Sequence, residues 1–301
     1  MLEVLAVMAL TAAAPPPTPV EAIVAARIAA FGGRMGVAAV HLDTGETIAV
    51  NADERFPTAS AIKTAVMVEV FHRIADGRLR KDQLVTLTDD VKVGGSGVLP
   101  SLHAGGQYSV SDLVYLMIAL SDNTATNLLV ALVGTRAVDD RMVAYGLPQT
   151  RLYRPTFRGG HPDVFPEEER EFGLGSSTPR ETARLMEMIA RGKAVSPEAS
   201  QEMAAILGKQ QNYDMIPRLL PLSDTLTYAG KSGQDDEKLA DPAGLKGTIR
   251  VDSGIITTPR GRYVIAIYAR RGRDERWTVD NEALVAGAFV SKIVFDHFMG
   301  K

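Results

Sequence analysis

Apolar and polar positions change their spacing along this chain, and the changes divide it into stretches of different character. Near the start, VEAIVAARIAAFG carries apolar residues at helical spacing and stops at Gly32. MGVAAVHLDTGETIAVNADE then alternates in two β-rich runs around Asp43-Thr44-Gly45, which predicts a hairpin. SAIKTAVMVEVFHRIADG is apolar on nearly every side as far as Ile74, the pattern of a buried helix. Residues 82–110 read as short strands and glycine-bearing loops. SVSDLVYLMIAL, NTATNLLVALVG and TRAVDDRMVAYG are three further helical stretches, with Asp112 and Asn123 near helix starts, where Asp and Asn are favoured. Between Thr150 and Ser177 periodicity fades, and a loop that long inside a compact domain is typically functional or disordered. STPRETARLMEMIARG restarts a helix with a capping hydroxyl, an early Pro179 and an acidic first turn. The last third is β-rich: TLTYAGKSG, GTIRVDSGIITT and RYVIAIYARR read as strands, the last two joined by Pro259-Arg260-Gly261. NEALVAGAFVSKIVFDHF reads as a closing amphipathic helix.

Neither the opening hairpin nor the closing strands are enough for a stable sheet alone. The economical solution is an α/β (α+β) fold: one antiparallel sheet built from both chain ends, flanked by helices, with a helical lobe inserted. The expected division is a leader over residues 1–19, then a single domain over 20–301. Within it the sheet lobe takes about 20–58 and 210–301, and the helical lobe about 59–209. A cleft between the two lobes is a favoured place for a ligand.

Composition narrows the chemistry. The 301 residues are 46% hydrophobic and 23% charged, enough for a large core. A net charge of −3 gives no basic surplus for nucleic acid or anionic lipid. Arg270, Arg271, Arg273 and Arg276 do cluster, broken by Asp274 and Glu275; they read either as a charged surface turn or as a grip on an anionic substrate. The absence of cysteine excludes disulfides and thiolate catalysis. Five scattered histidines without paired spacing give no reason to expect a metal. The apolar run Val4–Ala14, followed by Pro15–Pro17, resembles a signal-peptide core, although Glu3 stands where a cation is usual. Export is therefore expected, and no other apolar run approaches membrane-spanning length.

Three separated places carry candidate chemistry. Ser60-Ala61-Ile62-Lys63 puts a hydroxyl and an amine three residues apart on an apolar helix, where they share a face. Desolvation would lower the lysine's pKa and let it take the serine's proton, while N–H groups at the helix start favour an oxyanion. Such a pair also arises by chance about once in a chain of this size, and Ser60 alone reads equally well as a helix cap. Ser121-Asp122-Asn123 lies between two apolar helices, where Ser121 could relay a proton and Asn123 hold an amide, or where Asp122 or Asn123 could simply cap a helix. Lys231-Ser232-Gly233 ends a strand; cation and hydroxyl can grip a carboxylate, Gly233 admits a close backbone, and Gln234 can offer its N–H.

The three triplets occur in the order S-x-x-K, S-D-N and K-[TS]-G. With NADERFPTASAIKTAVMVEV, GSGVLPSLHAGGQYSVSDLVYLMIALSDNTATNLL, STPRETARLM and DSGIITTPRGRYVIAIYARR, the chain resembles the class A serine β-lactamase family over roughly residues 20–299. The resemblance implies a five-stranded antiparallel sheet with flanking helices and a mostly helical lobe. It also implies Ser60 as the acylated nucleophile, Lys63 as its proton partner and Ser121 as the shuttle to the leaving nitrogen. Asn123 would contact the substrate amide, Lys231 and Ser232 its carboxylate, and the N–H groups of Ser60 and Gln234 the oxyanion. The implied partner is a small β-lactam or a related peptide or ester, handled without cofactor or metal by a monomer in the periplasm or outside the cell. The family's loop carries Arg, one residue, then the Glu that positions the deacylating water. Here Arg154-Pro155-Thr156 puts Thr156 at that place. The run VFPEEEREFG further along offers Glu167, Glu168, Glu169 and Glu171, of which Glu168 and Glu171 are the candidates to fold back as the missing base. A slow β-lactamase, a D-Ala-D-Ala carboxypeptidase or esterase, and a penicillin-binding module without turnover all remain open on this reading.

Overall fold

The computed structural model describes residues 17–157, 165–240, 244 and 246–301. Most of the expected leader lies outside these residues. The sheet has five antiparallel strands: β1 (Arg34–His41), β2 (Thr47–Val50), β3 (Thr227–Asp236), β4 (Thr248–Thr258) and β5 (Gly261–Gly272), in the order β2-β1-β5-β4-β3. The two chain ends thus meet at the β1–β5 ladder, where Val37 faces Ile267 and Ala39 faces Ile265. β3 is left at one edge of the sheet.

The alternation along β5 explains the layers. Tyr263, Ile265, Ile267 and Ala269 face one core with Val20, Val24 and Ile28 of helix α1 (Pro19–Ala29) and the apolar face of the closing helix Glu282–Phe298. Val264, Ala266 and Tyr268 face the other core, with the helical lobe. That lobe comprises α2 (Lys63–Ala75), α3 (Val110–Ala119), α4 (Asn123–Val133), α5 (Thr135–Ala144), α6 (Pro166–Phe172), α7 (Pro179–Ala190) and α8 (Pro197–Leu207); the closing helix is α9. The helix starts are encoded locally. Thr18 with Glu21 and Ser109 with Asp112 form capping boxes, and Thr178, Ser196 and Asn281 cap α7, α8 and α9.

Two local expectations change. The helix predicted from Ser60 is two pieces: a tight 3-10 turn over Ala59–Ile62, entered through Ala59 at φ +43°, and only then α2. The stretch from Thr150 to Ser177 is not structureless either. Arg151–Leu152 and Phe56–Pro57 both pair with Gly175–Ser177, and α6 lies in sequence between Arg151–Leu152 and Gly175–Ser177.

Candidate active site

The edge strand β3, the Ala59–Ile62 turn and the α3–α4 junction converge on a cleft of about 540 Å³. Ser60, Ser121, Asn123, Lys231, Ser232, Gly233 and Gln234 all line it. The strand and the turn touch at Gly233. A Cβ there would lie 2.5 Å from the Thr58 carbonyl oxygen and 2.8 Å from the Ser60 and Ala61 amide nitrogens, so only glycine lets the Ser60 turn seat against β3.

Lys63 opens α2 and is fully buried. Its Nζ donates to the Ser121 carbonyl at 2.7 Å, to Asn123 Oδ1 at 2.7 Å and to Ser121 Oγ at 3.2 Å. The sequence pairs this amine with Ser60; in the structure its hydrogen bonds run instead to Ser121 and Asn123. Burial, and then the nearby charge of Lys231, hold the Lys63 amine well below its ordinary pKa, with Asp122 opposing weakly. Lys231, buried in β3, donates to Ser121 Oγ at 3.1 Å and to the Ser232 carbonyl at 2.8 Å. Burial brings its pKa down to about 8, partly offset by Asp252.

Ser121 therefore stands between two amines, held in the left-handed region at φ +55°. Asp122 turns the other way. Its carboxylate accepts from Ala125 N as the α4 cap, and from Val98 N and Leu99 N at 2.7 and 2.9 Å. The capping role and the cleft role are thus divided within the triplet: Asp122 builds, while Ser121 and Asn123 face Lys63. Asn123 Nδ2 is engaged with the Gly94 carbonyl at 3.0 Å.

Thr156 lines the cleft with its hydroxyl already committed. Oγ1 donates within reach of Asn127 Oδ1 at 2.9 Å and of the Asn123 carbonyl at 3.2 Å. Asn127 holds the Thr156 backbone from both sides, accepting its N–H at 2.8 Å and donating to its carbonyl at 2.9 Å.

The structure does not bring the candidate carboxylates Glu168 and Glu171 into this cleft. Glu168 accepts from Arg55 at 2.6 Å, from the Tyr153 hydroxyl at 2.8 Å and from Arg151 at 3.2 Å. Burial raises the Glu168 pKa, but the Arg55 and Tyr153 hydrogen bonds outweigh it and the carboxyl sits below its ordinary value. Glu169 pairs with Arg154 at 2.7 Å, and Glu171 with Arg270 at 3.4 Å. Phe172 lies between the guanidiniums of Arg55 and Arg270, 4.6 and 5.6 Å from its ring centre. Arginines from distant parts of the chain pin α6 against the loop's base, which leaves Asp235, on the rim, as the one carboxylate lining the cleft among the described residues. Arg270 itself is buried against Glu237 at 2.9 Å rather than free on a surface turn, and none of the four clustered arginines lines the cleft.

Sequence reading missed Asp252, which lies opposite Ser232 in the β3–β4 ladder. Buried, it accepts from the Tyr228 hydroxyl at 2.5 Å and from the amides of Ile216 and Ser253 at 3.0 Å; burial pushes its carboxyl up to about 6. Tyr228 reaches it across Gly254, where a Cβ would stand 2.3 Å from the ring. The only signal for this arrangement is a tyrosine three residues before Lys231, too common to read alone.

The chain's relatives fit this geometry. Residues 19–298 match the model described as the beta-lactamase enzyme family. A beta-lactamase from Streptomyces albus G is 29% identical over 86% of this chain and 79% of that protein. A carbapenem-hydrolyzing beta-lactamase KPC from Klebsiella oxytoca is 25% identical over 86% and 82%. Among solved structures, a beta-lactamase from Sphaerobacter thermophilus superposes with a TM-score of 0.77 at 32% identity, covering 94% of this chain and 97% of that one. PBP-A superposes with a TM-score of 0.78 at 25% identity over 95% and 99%.

Proposed function

The chain belongs to the β-lactamase enzyme family, and from that premise we propose that it is a serine hydrolase which opens β-lactam rings through an acyl-enzyme on Ser60 and releases the product slowly. The observation that carries this reading is the pair of buried amines flanking Ser121, beside a Ser60 turn seated on β3.

Lys63, whose burial favours the uncharged amine, gives up one of its hydrogen bonds to Ser121 and Asn123 and takes the Ser60 proton as Oγ attacks the lactam carbonyl, and the Ser60 and Gln234 amides receive the oxyanion. As the carbon–nitrogen bond breaks, the proton passes from Lys63 through Ser121 Oγ to the departing nitrogen, along the 3.2 Å contact already formed. Lys231, still protonated below about pH 8, and Ser232 hold the substrate carboxylate. Water then cleaves the ester. Thr156 has no carboxylate to position that water, and its hydroxyl is already bonded to Asn127, so this step is the slow one.

The same feature favours a second reading, a peptidase or penicillin-binding role, because release is where the family's two activities diverge. The similarity to PBP-A, a point mutant of which was captured as an acyl-enzyme with penicillin G, adds weight to it. Turnover of nitrocefin against a D-Ala-D-Ala peptide separates the two. Hydrolysis of nitrocefin with no peptide cleavage supports the first, and the reverse supports the second.

A further inference from the structure

At the cleft mouth stands the chain's single tryptophan, Trp277, 59% exposed and lining the cleft together with Asp235 and Gln234 of β3. An indole so exposed needs a reason to stay ordered, and the structure supplies one. Its ring lies over the guanidinium of Arg250, 4.7 Å from the ring centre. Arg250, on β4, is fully buried, and among the described residues its guanidinium donates to carbonyls alone: Asp235 O at 3.1 Å, Ile249 O at 2.9 Å and Arg276 O at 3.1 Å. One buried cation thus ties the cleft strand to the loop that carries Trp277. Asn281 fastens that loop a second time, donating to the Asp274 and Arg276 carbonyls at 2.7 and 3.0 Å. The indole is held in place from below while its outer face stays in water. A rigid, fixed aromatic surface at the rim of a cleft presents apolar area at little entropic cost.

We propose that Trp277 is a specificity-determining residue, a platform on which substrates bearing a flat, uncharged aromatic substituent stack, with Arg250 as its positioning residue. This rests on the acyl-transfer reading above and adds the substrate class that this cleft favours.

The test compares benzylpenicillin, which carries a phenyl ring, with 6-aminopenicillanic acid, which lacks it, in the wild type, Trp277→Phe and Trp277→Leu. Acylation is timed by intact mass, and the emission of the single tryptophan is read in the wild type. The stacking contribution of an aromatic pair corresponds to about a three- to tenfold loss for benzylpenicillin in Trp277→Leu, recovered in Trp277→Phe. The bare nucleus should react equally with all three proteins. Benzylpenicillin should shift the tryptophan emission to the blue, and 6-aminopenicillanic acid should leave it unchanged. An equal loss for both compounds would mean that Trp277 merely covers Arg250, and would overturn the proposal. So would an emission that ignores the aromatic compound. Failure of both compounds to modify Ser60 would instead refute the acyl-transfer reading. Equilibrium titration of the emission with the same two compounds then still decides the platform: selective response to the aromatic one supports it, and no selectivity overturns it.

Discussion

The cleft and the helix α6 treat charge in opposite ways. At the cleft, Lys231 in its wall and Lys63 beneath it are buried with hydroxyls, carbonyls and an amide around them, and among the described residues no carboxylate is in hydrogen-bond contact with either. In α6, Glu168, Glu169 and Glu171 are each matched to an arginine. A buried cation without a partner has its proton affinity reset by desolvation and becomes reactive near neutral pH. Burial raises the Glu168 pKa, but the Arg55 and Tyr153 hydrogen bonds hold the carboxyl below its ordinary value and so favour its charged form. Glu168, Glu169 and Glu171 are thus tied into ion pairs outside the cleft lining, which is the arrangement of a clamp.

The sharpest way to break this contrast is to remove the reactive members. Ser60→Ala should abolish acylation by penicillin in intact-mass measurements, and Lys63→Ala should slow it by about 100- to 10,000-fold, the range for one acid–base group. Acylation by Lys63→Ala at the wild-type rate would remove the buried amine from the mechanism. Next comes the converse change, a carboxylate placed where the cleft has none. Thr156→Glu should hasten acyl-enzyme decay on the order of 100-fold, while the lost Thr156–Asn127 hydrogen bond costs about 1 kcal/mol of stability in denaturant titrations.

The pH profile probes the other cleft amine. Lys231 must be charged to hold a carboxylate, so second-order acylation should fall as pH rises through about 8. A profile flat to pH 10 would mean that the cation is not needed.

On the α6 side the effect is smaller and of another kind. Glu168→Gln should lower stability by about 1–2 kcal/mol, with acyl-enzyme decay unchanged. The folded-state pKa of Glu168 lies below its ordinary value of 4.5, so its contribution is present above that value and lost as pH falls through the lower folded one. The gap between wild type and variant should therefore close in acid. Slower decay in Glu168→Gln would make this run part of the catalytic machinery after all. Smallest of all, Ser232→Thr keeps the hydroxyl beside Lys231 and should leave acylation unchanged.

The sheet was legible because β1, β4 and β5 are long, β-branched and bounded by turns, and the helical lobe because its caps are local: Ser109 with Asp112, Thr178 before Pro179. The break at Ser60 was not, since Ala-Ser-Ala-Ile contains no breaker. It arises from the contact with Gly233, 173 residues further on. Desolvation of Lys63 followed from the apolar helix around it, and its true partners did not, because Ser121 and Asn123 lie 58 and 60 residues away. The acidic run misleads for the same reason: Arg55, Arg151, Arg154 and Arg270 neutralise it from positions that only the fold brings together. Chemistry-bearing triplets are written locally, whereas the pairing that silences or activates a charge is not.

On the proposed mechanism Ser60 is acylated quickly and freed slowly because no carboxylate stands at Thr156. Following intact mass after mixing with penicillin, in the wild type and in Thr156→Glu, tests it directly. A stoichiometric adduct on Ser60 should persist in the wild type and decay much faster in the variant. No adduct, or a wild-type adduct that decays as fast as that of Thr156→Glu, would contradict it.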